Sequence, residues 1–118
     1  LFSKTRFIAV QFEAYLKDQL WMELARNANN CALELATGLS KLDHCSVTSV
    51  PQGNEVFAWL PKEKIAALRE AGAEFYDWPA GSSAEDRARI ERGCGYIRLV
   101  PSFATQAGDI EVFLEIAK

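Results

Sequence analysis

Tyr96-Ile97-Arg98-Leu99-Val100 is the stretch on which the reading of this chain turns. Tyr, Ile and Val favour extended backbone, and the run predicts a strand. Successive side chains of a strand point to opposite faces, so Tyr96, Arg98 and Val100 share one side while Ile97 and Leu99 share the other. The Ile97 and Leu99 side is apolar and is expected to be buried. An arginine in the middle of such a strand is costly to bury unless its charge is paired. A sheet covered on one face and open on the other is therefore expected.

The neighbouring segments fit that plan. Gly93 and Gly95 flank Cys94 and lead into the strand. Ala84 to Arg92 is rich in charge and reads as a solvated helical turn with Ser83 as its cap. Pro79 to Ser83 is a loop, and Ala73 to Trp78 reads as a strand carrying Phe75, Tyr76 and Trp78. On the other side, Thr105 is expected to cap a last helix with an apolar face of Ile110, Phe113, Leu114 and Ala117. Val56 to Leu60 is a second strongly β-prone run, ended by Pro61, which also suits the first turn of the next helix. That helix carries Ile65, Ala66 and Leu68 and is expected to end at Gly72. Cys45 to Val50 reads as a short strand, followed by a turn over Pro51, Gln52, Gly53 and Asn54.

Two helices precede these strands. Leu20, Leu24, Ala28, Cys31, Leu35 and Leu39 recur at steps of three and four, the spacing of an amphipathic helix, with Asp18 as expected N-cap. Phe7, Ile8, Val10, Phe12, Tyr15 and Leu16 give the first helix an apolar surface on more than half its circumference, with Ser3 or Thr5 as cap. A chain of this size offers little to cover so much, so part of that helix is expected to face a partner domain. The fold class is thus α/β, an α+β sandwich. Two N-terminal helices lead to a mostly antiparallel sheet covered on one side by helices. Residues 1–17 read as an inter-domain helix, 18–42 as a long helix, and 45–118 as the sheet with its covering helices.

The chain has 118 residues, 49% hydrophobic and 25% charged, the make-up of one soluble domain. Its net charge is -3, with Lys and Arg scattered, which argues against nucleic acid as a partner. No apolar run approaches the roughly 20 residues needed to span a bilayer. Cys31, Cys45 and Cys94 have no metal-type spacing, and the one histidine, His44, completes no zinc pattern. They read as reduced thiols of a cytoplasmic protein. The sequence opens on Leu1 and passes almost at once into helix, which suggests a piece of a longer polypeptide.

Arg98 is the foremost candidate for chemistry, because its planar fork can grip a carboxylate through two parallel hydrogen bonds. The alternative is an arginine on an open sheet face, stem on apolar neighbours and head in water. Ser3-Lys4-Thr5 places a lysine between hydroxyls, and Lys4 with Arg6 at a helix start could attract an anion such as phosphate. A polar helix start explains the same residues. His44 follows Asp43 in what reads as a solvated loop. Phe75, Tyr76 and Trp78 could line a pocket or fill a core. No Ser-His-Asp set, P-loop or dinucleotide fingerprint occurs.

Several segments together resemble a known family. Ser3-Lys4-Thr5-Arg6-Phe7 with Ala9-Val10-Gln11-Phe12 and Ala14-Tyr15-Leu16 resembles the helix that follows the cofactor-binding domain in low-specificity threonine aldolases. Leu24 to Asn29 and Leu35 to Leu39 resemble their long second helix. Asn54-Glu55-Val56-Phe57, Phe75-Tyr76-Asp77-Trp78, and Ile97 to Val100 followed by Ser102 to Thr105 resemble their small-domain strands and last helix start. The resemblance implies an aspartate-aminotransferase type of fold, in which a large domain carries pyridoxal phosphate on a lysine and a small carboxy-terminal domain packs over it. It implies cleavage of β-hydroxy-α-amino acids such as threonine to glycine and an aldehyde. Arg98 would bind the substrate carboxylate, with Lys4 and Arg6 near the cofactor. Partners would be the large domain of the same chain and further copies in an oligomer, with no membrane and no metal. The lysine, the phosphate cradle and the ring-stacking histidine would lie outside this chain, leaving it inactive alone. Other aminotransferase-type enzymes, such as β-eliminating lyases and cysteine desulfurases, and a non-catalytic α/β binding module remain as alternatives.

Overall fold

In the computed structural model, which describes residues 3–118, the first helix and the rest of the chain part company at a sharp corner. Helix α1 spans Thr5–Leu16 and α2 spans Leu20–Leu39. Between them Lys17–Gln19 forms a 3-10 turn in which Asp18 and Gln19 take left-handed backbone angles, φ 52 and 61. The expected cap at Asp18 does not form, because an N-cap needs extended backbone to bring its oxygen over the first free N–H groups. Gln19 occupies the N-cap position without a side-chain bond. Lys4, not Ser3 or Thr5, precedes α1, and it too makes no cap bond.

Strands β1 (Ser46–Val47), β2 (Val56–Pro61), β3 (Tyr76–Asp77) and β4 (Cys94–Leu99) form one sheet in the order β1-β2-β4-β3. Every pairing is antiparallel. The two edge strands are shorter than the β-prone runs from Cys45 and Ala73 suggest. Beyond their ladders one further bond holds at each edge, Thr48 N–H to Phe57 O and Trp78 N–H to Tyr96 O. Edge residues have a neighbour on one side only, so their propensity has little to pair with.

Helices α2, α3 (Lys62–Glu70) and α5 (Ala107–Ala117) cover one face of the sheet. The core joins Val56, Ala58 and Leu60 of β2 and Ile97 and Leu99 of β4 to Leu35 and Leu39 of α2, Leu68 of α3 and Ile110 of α5. Gly38 lets α2 and α5 approach closely, since a Cβ there would collide with Leu114. Gly93, at φ +82, turns the chain into β4 at an angle that L side chains rarely adopt. The cap expected at Thr105 falls one residue later, on Gln106, whose N–H donates to Asp109. The Thr105 hydroxyl instead accepts from the Ser102 N–H.

Two features depart from a one-sided sandwich. Helix α4 (Ala84–Glu91), with a reciprocal Ser83–Asp86 capping box, lies against β4 and shields part of the second sheet face. The charged run 84–92 is therefore not simply solvated. The other feature is α1, none of whose residues is buried. The α2 stripe is likewise covered only from Ala28 onward, and Leu20 and Trp21 stay exposed. The radius of gyration is 17.8 Å, against about 13–14 Å for a compact chain of this length.

Candidate functional site

Strand alternation sorts the aromatic residues. Phe75 turns to the core and packs edge-on against Phe113. Tyr76 and Trp78 turn to the opposite face, where β2 adds Phe57 and Trp59 and β4 adds Tyr96 and Arg98. Phe57 and Tyr76 both sit directly across from Arg98 in the ladder. The second face is thus an aromatic floor, with a guanidinium at its centre.

At one end of this floor Trp59 stacks on Tyr96, ring centroids 4.8 Å apart. The Arg89 guanidinium of α4 lies over Trp59 and donates to the Ser46 hydroxyl. Arg89 is also paired with Glu85 one turn earlier. This end is closed, which explains why Trp59 is only 3% exposed although it faces away from the helical layer.

The other end is open. The Arg98 guanidinium lies 4.5 Å from the Trp78 ring centroid and 5.1 Å from that of Tyr76. Such contacts hold the fork by the attraction of the ring faces for a cation. One terminal nitrogen, Nη1, is 3.3 Å from Oε1 of Glu55. The buried Nε has no hydrogen-bond partner. The side chain keeps a quarter of its surface in solvent. Arg98 is therefore held in place and half-satisfied on an accessible face, and its fork has capacity left for an anion with two oxygens.

Glu55 was not a sequence-level candidate. It stands just before β2, and Asn54 beside it donates to the Pro101 carbonyl at the end of β4. That bond ties the approach to β2 to the exit from β4 and so sets Glu55 diagonally beside Arg98. The signal was the two-residue offset from Phe57 on the same face, which becomes useful only once the register is known. The exit loop is pinned further by Asn27, whose amide donates to the carbonyls of Phe103 and Thr105.

The other candidates lie apart. Lys4 and Arg6 stand exposed at the start of α1, which leans on the 3-10 turn and α2, and neither joins an ion pair among the described residues. They form no enclosed cradle for a phosphate. His44 is anchored by its Nε2, 2.8 Å from the Ala117 carbonyl at the end of α5. Cys31, Cys45 and Cys94 are free thiols. The pKa of Cys45 is raised to about 11 by burial, with a smaller contribution from Cys94, while Lys64 opposes both. Among the described residues no cluster of His, Cys, Asp and Glu converges as a metal site, and no helix is long and apolar enough to cross a membrane.

No protein-family model matches the chain. Over 76 residues it is 37% identical to the low specificity L-threonine aldolase of Pseudomonas aeruginosa, a match covering 64% of this chain and 22% of that protein. Over 109 residues it is 28% identical to the low specificity L-threonine aldolase of another Pseudomonas strain, covering 86% of this chain and 32% of that one. The chain thus spans between about a fifth and a third of the curated relatives it matches. The structure of Leishmania major threonine aldolase superposes with a TM-score of 0.73 at 26% identity, over 92% of this chain and 28% of that one. The aminotransferase TlmJ of Streptoalloteichus hindustanus shares the fold, with a TM-score of 0.59 at 16% identity over 81% of this chain and 31% of its own. In sequence and in fold the chain is similar to one part of threonine aldolases.

Proposed function

We propose that this chain is the carboxy-terminal small domain of a pyridoxal-phosphate-dependent aldolase that cleaves β-hydroxy-α-amino acids, threonine to glycine and acetaldehyde, and that Arg98 binds the substrate carboxylate. The observation that carries the reading is the half-satisfied Arg98 fork, braced by Tyr76 and Trp78 on the open sheet face. The likeness to threonine aldolases over most of the chain supports the reaction class.

The described residues offer no enclosed cradle for the cofactor, so it would be carried by the part of the protein outside this chain. Lys4 and Arg6, exposed at the start of α1, would at most lend positive charge nearby. The exposed apolar surface of α1 fits a helix that lies between two domains of a cytoplasmic, oligomeric enzyme.

Arg98 contributes orientation. A carboxylate held by two parallel hydrogen bonds cannot swivel freely, so the bonds at the neighbouring Cα are presented in a fixed direction. Holding a reactant in one geometry can supply several kcal/mol of the barrier. The rings of Tyr76 and Trp78 hold the fork from one side, and the strand that carries it is paired on both sides, by β2 and β3.

In the full-length enzyme, Arg98→Ala should lower kcat/KM for L-threonine about ten- to a hundredfold, the range for losing a charge-assisted bidentate contact. The cofactor's absorbance should be unaffected. Steady-state kinetics matching the wild type would refute the assignment.

A further inference from the structure

We infer that Glu55 is a resident counter-ion that occupies Arg98 until the substrate carboxylate displaces it; this rests on the reading of Arg98 as the carboxylate clamp. Three observations point to a placeholder rather than a permanent partner. First, the pair is one-sided: a single guanidinium nitrogen is 3.3 Å from a single carboxylate oxygen. A parallel two-bond arrangement, the strong form of this contact, is absent. Second, Glu55 is half exposed, so swinging away returns its carboxylate to water at little cost. Third, Nε of Arg98 is buried without a partner, and an unsatisfied buried donor favours any anion that can reach it.

Glu55 and Arg98 also differ in how they are held. Arg98 is fixed by two rings and by the central strand. Glu55 precedes the first residue of β2; its backbone is tethered through its neighbour Asn54, and among the described residues its side chain joins no ion pair or hydrogen bond besides the contact with Arg98. Displacement would therefore move the acid and leave the fork in place. While no substrate is bound, the acid keeps the guanidinium from capturing stray anions. The resident contact must be broken before the substrate can bind, so it weakens binding by the worth of an exposed ion pair.

The test is a double-mutant cycle in the full-length holoenzyme, with L-threonine as substrate and acetate as competing anion. Glu55→Gln keeps the shape of the side chain and removes its charge. It should lower KM about two- to fivefold, the range an exposed ion pair commands, and tighten acetate inhibition to a similar degree. Any change in kcat should be smaller. In an Arg98→Ala background the same substitution should leave KM where Arg98→Ala alone sets it. A merely structural role for Glu55 would raise KM on substitution, not lower it. If Arg98→Ala lowers kcat/KM but Glu55→Gln raises KM or leaves it unchanged, Glu55 is a brace or a bystander and the inference is overturned. If Arg98→Ala itself leaves kcat/KM unchanged, the clamp assignment falls and the inference falls with it.

Discussion

Helices α1 and α5 are nearly equal in length and are both rich in apolar residues, yet they end in opposite surroundings. Helix α5 buries Ile110 and Ala117, sets Phe113 against Phe75 and approaches α2 at Gly38. Helix α1 leaves Phe7 70% and Phe12 61% exposed. The difference lies in the joints. A capped turn at Gln106 returns α5 to the sheet, whereas the left-handed corner at Asp18 and Gln19 carries α1 away from it. An apolar pattern states that a surface should be covered, while the connection decides whether this chain can do the covering.

Substitutions in the two regions should separate that comparison sharply. Ile97→Ala, in the covered half, should destabilise the 118-residue chain by about 2–5 kcal/mol in denaturant unfolding, the cost of a cavity at a fully buried site. Phe12→Ser, on α1, should change the stability of the same chain by less than about 0.5 kcal/mol, and should reduce its tendency to self-associate in light scattering. A loss for Phe12→Ser as large as that for Ile97→Ala would mean that α1 is packed in solution, and the contrast would disappear. A third effect, confined to alkaline pH, belongs to Cys45. Folding raises its pKa from 9.0 to about 11, so the folded chain holds the thiol proton more tightly than the unfolded one. Stability should then fall as pH climbs from about 9 to about 11 and should not respond to this group below that window. A Cys45→Ser chain should lose that part of the alkaline slope in pH-dependent melting.

What the sequence revealed follows from how local each cause is. Ser83, with Asp86 three residues on, caps α4 where it was expected, because a capping box lies within one turn of the chain. Gly72 and the alternation through Ile97, Arg98 and Leu99 are equally local, and they place the open face correctly. Asp18 and Thr105 carry the right side chains for caps but not the right backbone, and that backbone is set by where the neighbouring elements must go. The edge strands were overestimated because propensity does not reveal which runs will have two neighbours. Arg98 was legible as a charge in an apolar strand. The partner Glu55 and the cover that α4 places over Trp59 were not, since both depend on residues brought together from distant parts of the sequence. His44 shows the same limit: its bond to Ala117 spans 73 positions.

The strand order β1-β2-β4-β3 carries a consequence for how the chain is made. The last strand in the sequence lies inside the sheet, where it is the sole link between β2 and β3. Until residues 94–99 have been synthesised, β3 has nothing to join and one whole side of β2 is bare. Phe57, Trp59 and Trp78 stay without their shared neighbour strand until then, and the arrival of β4 both completes the floor and lays Arg98 upon it.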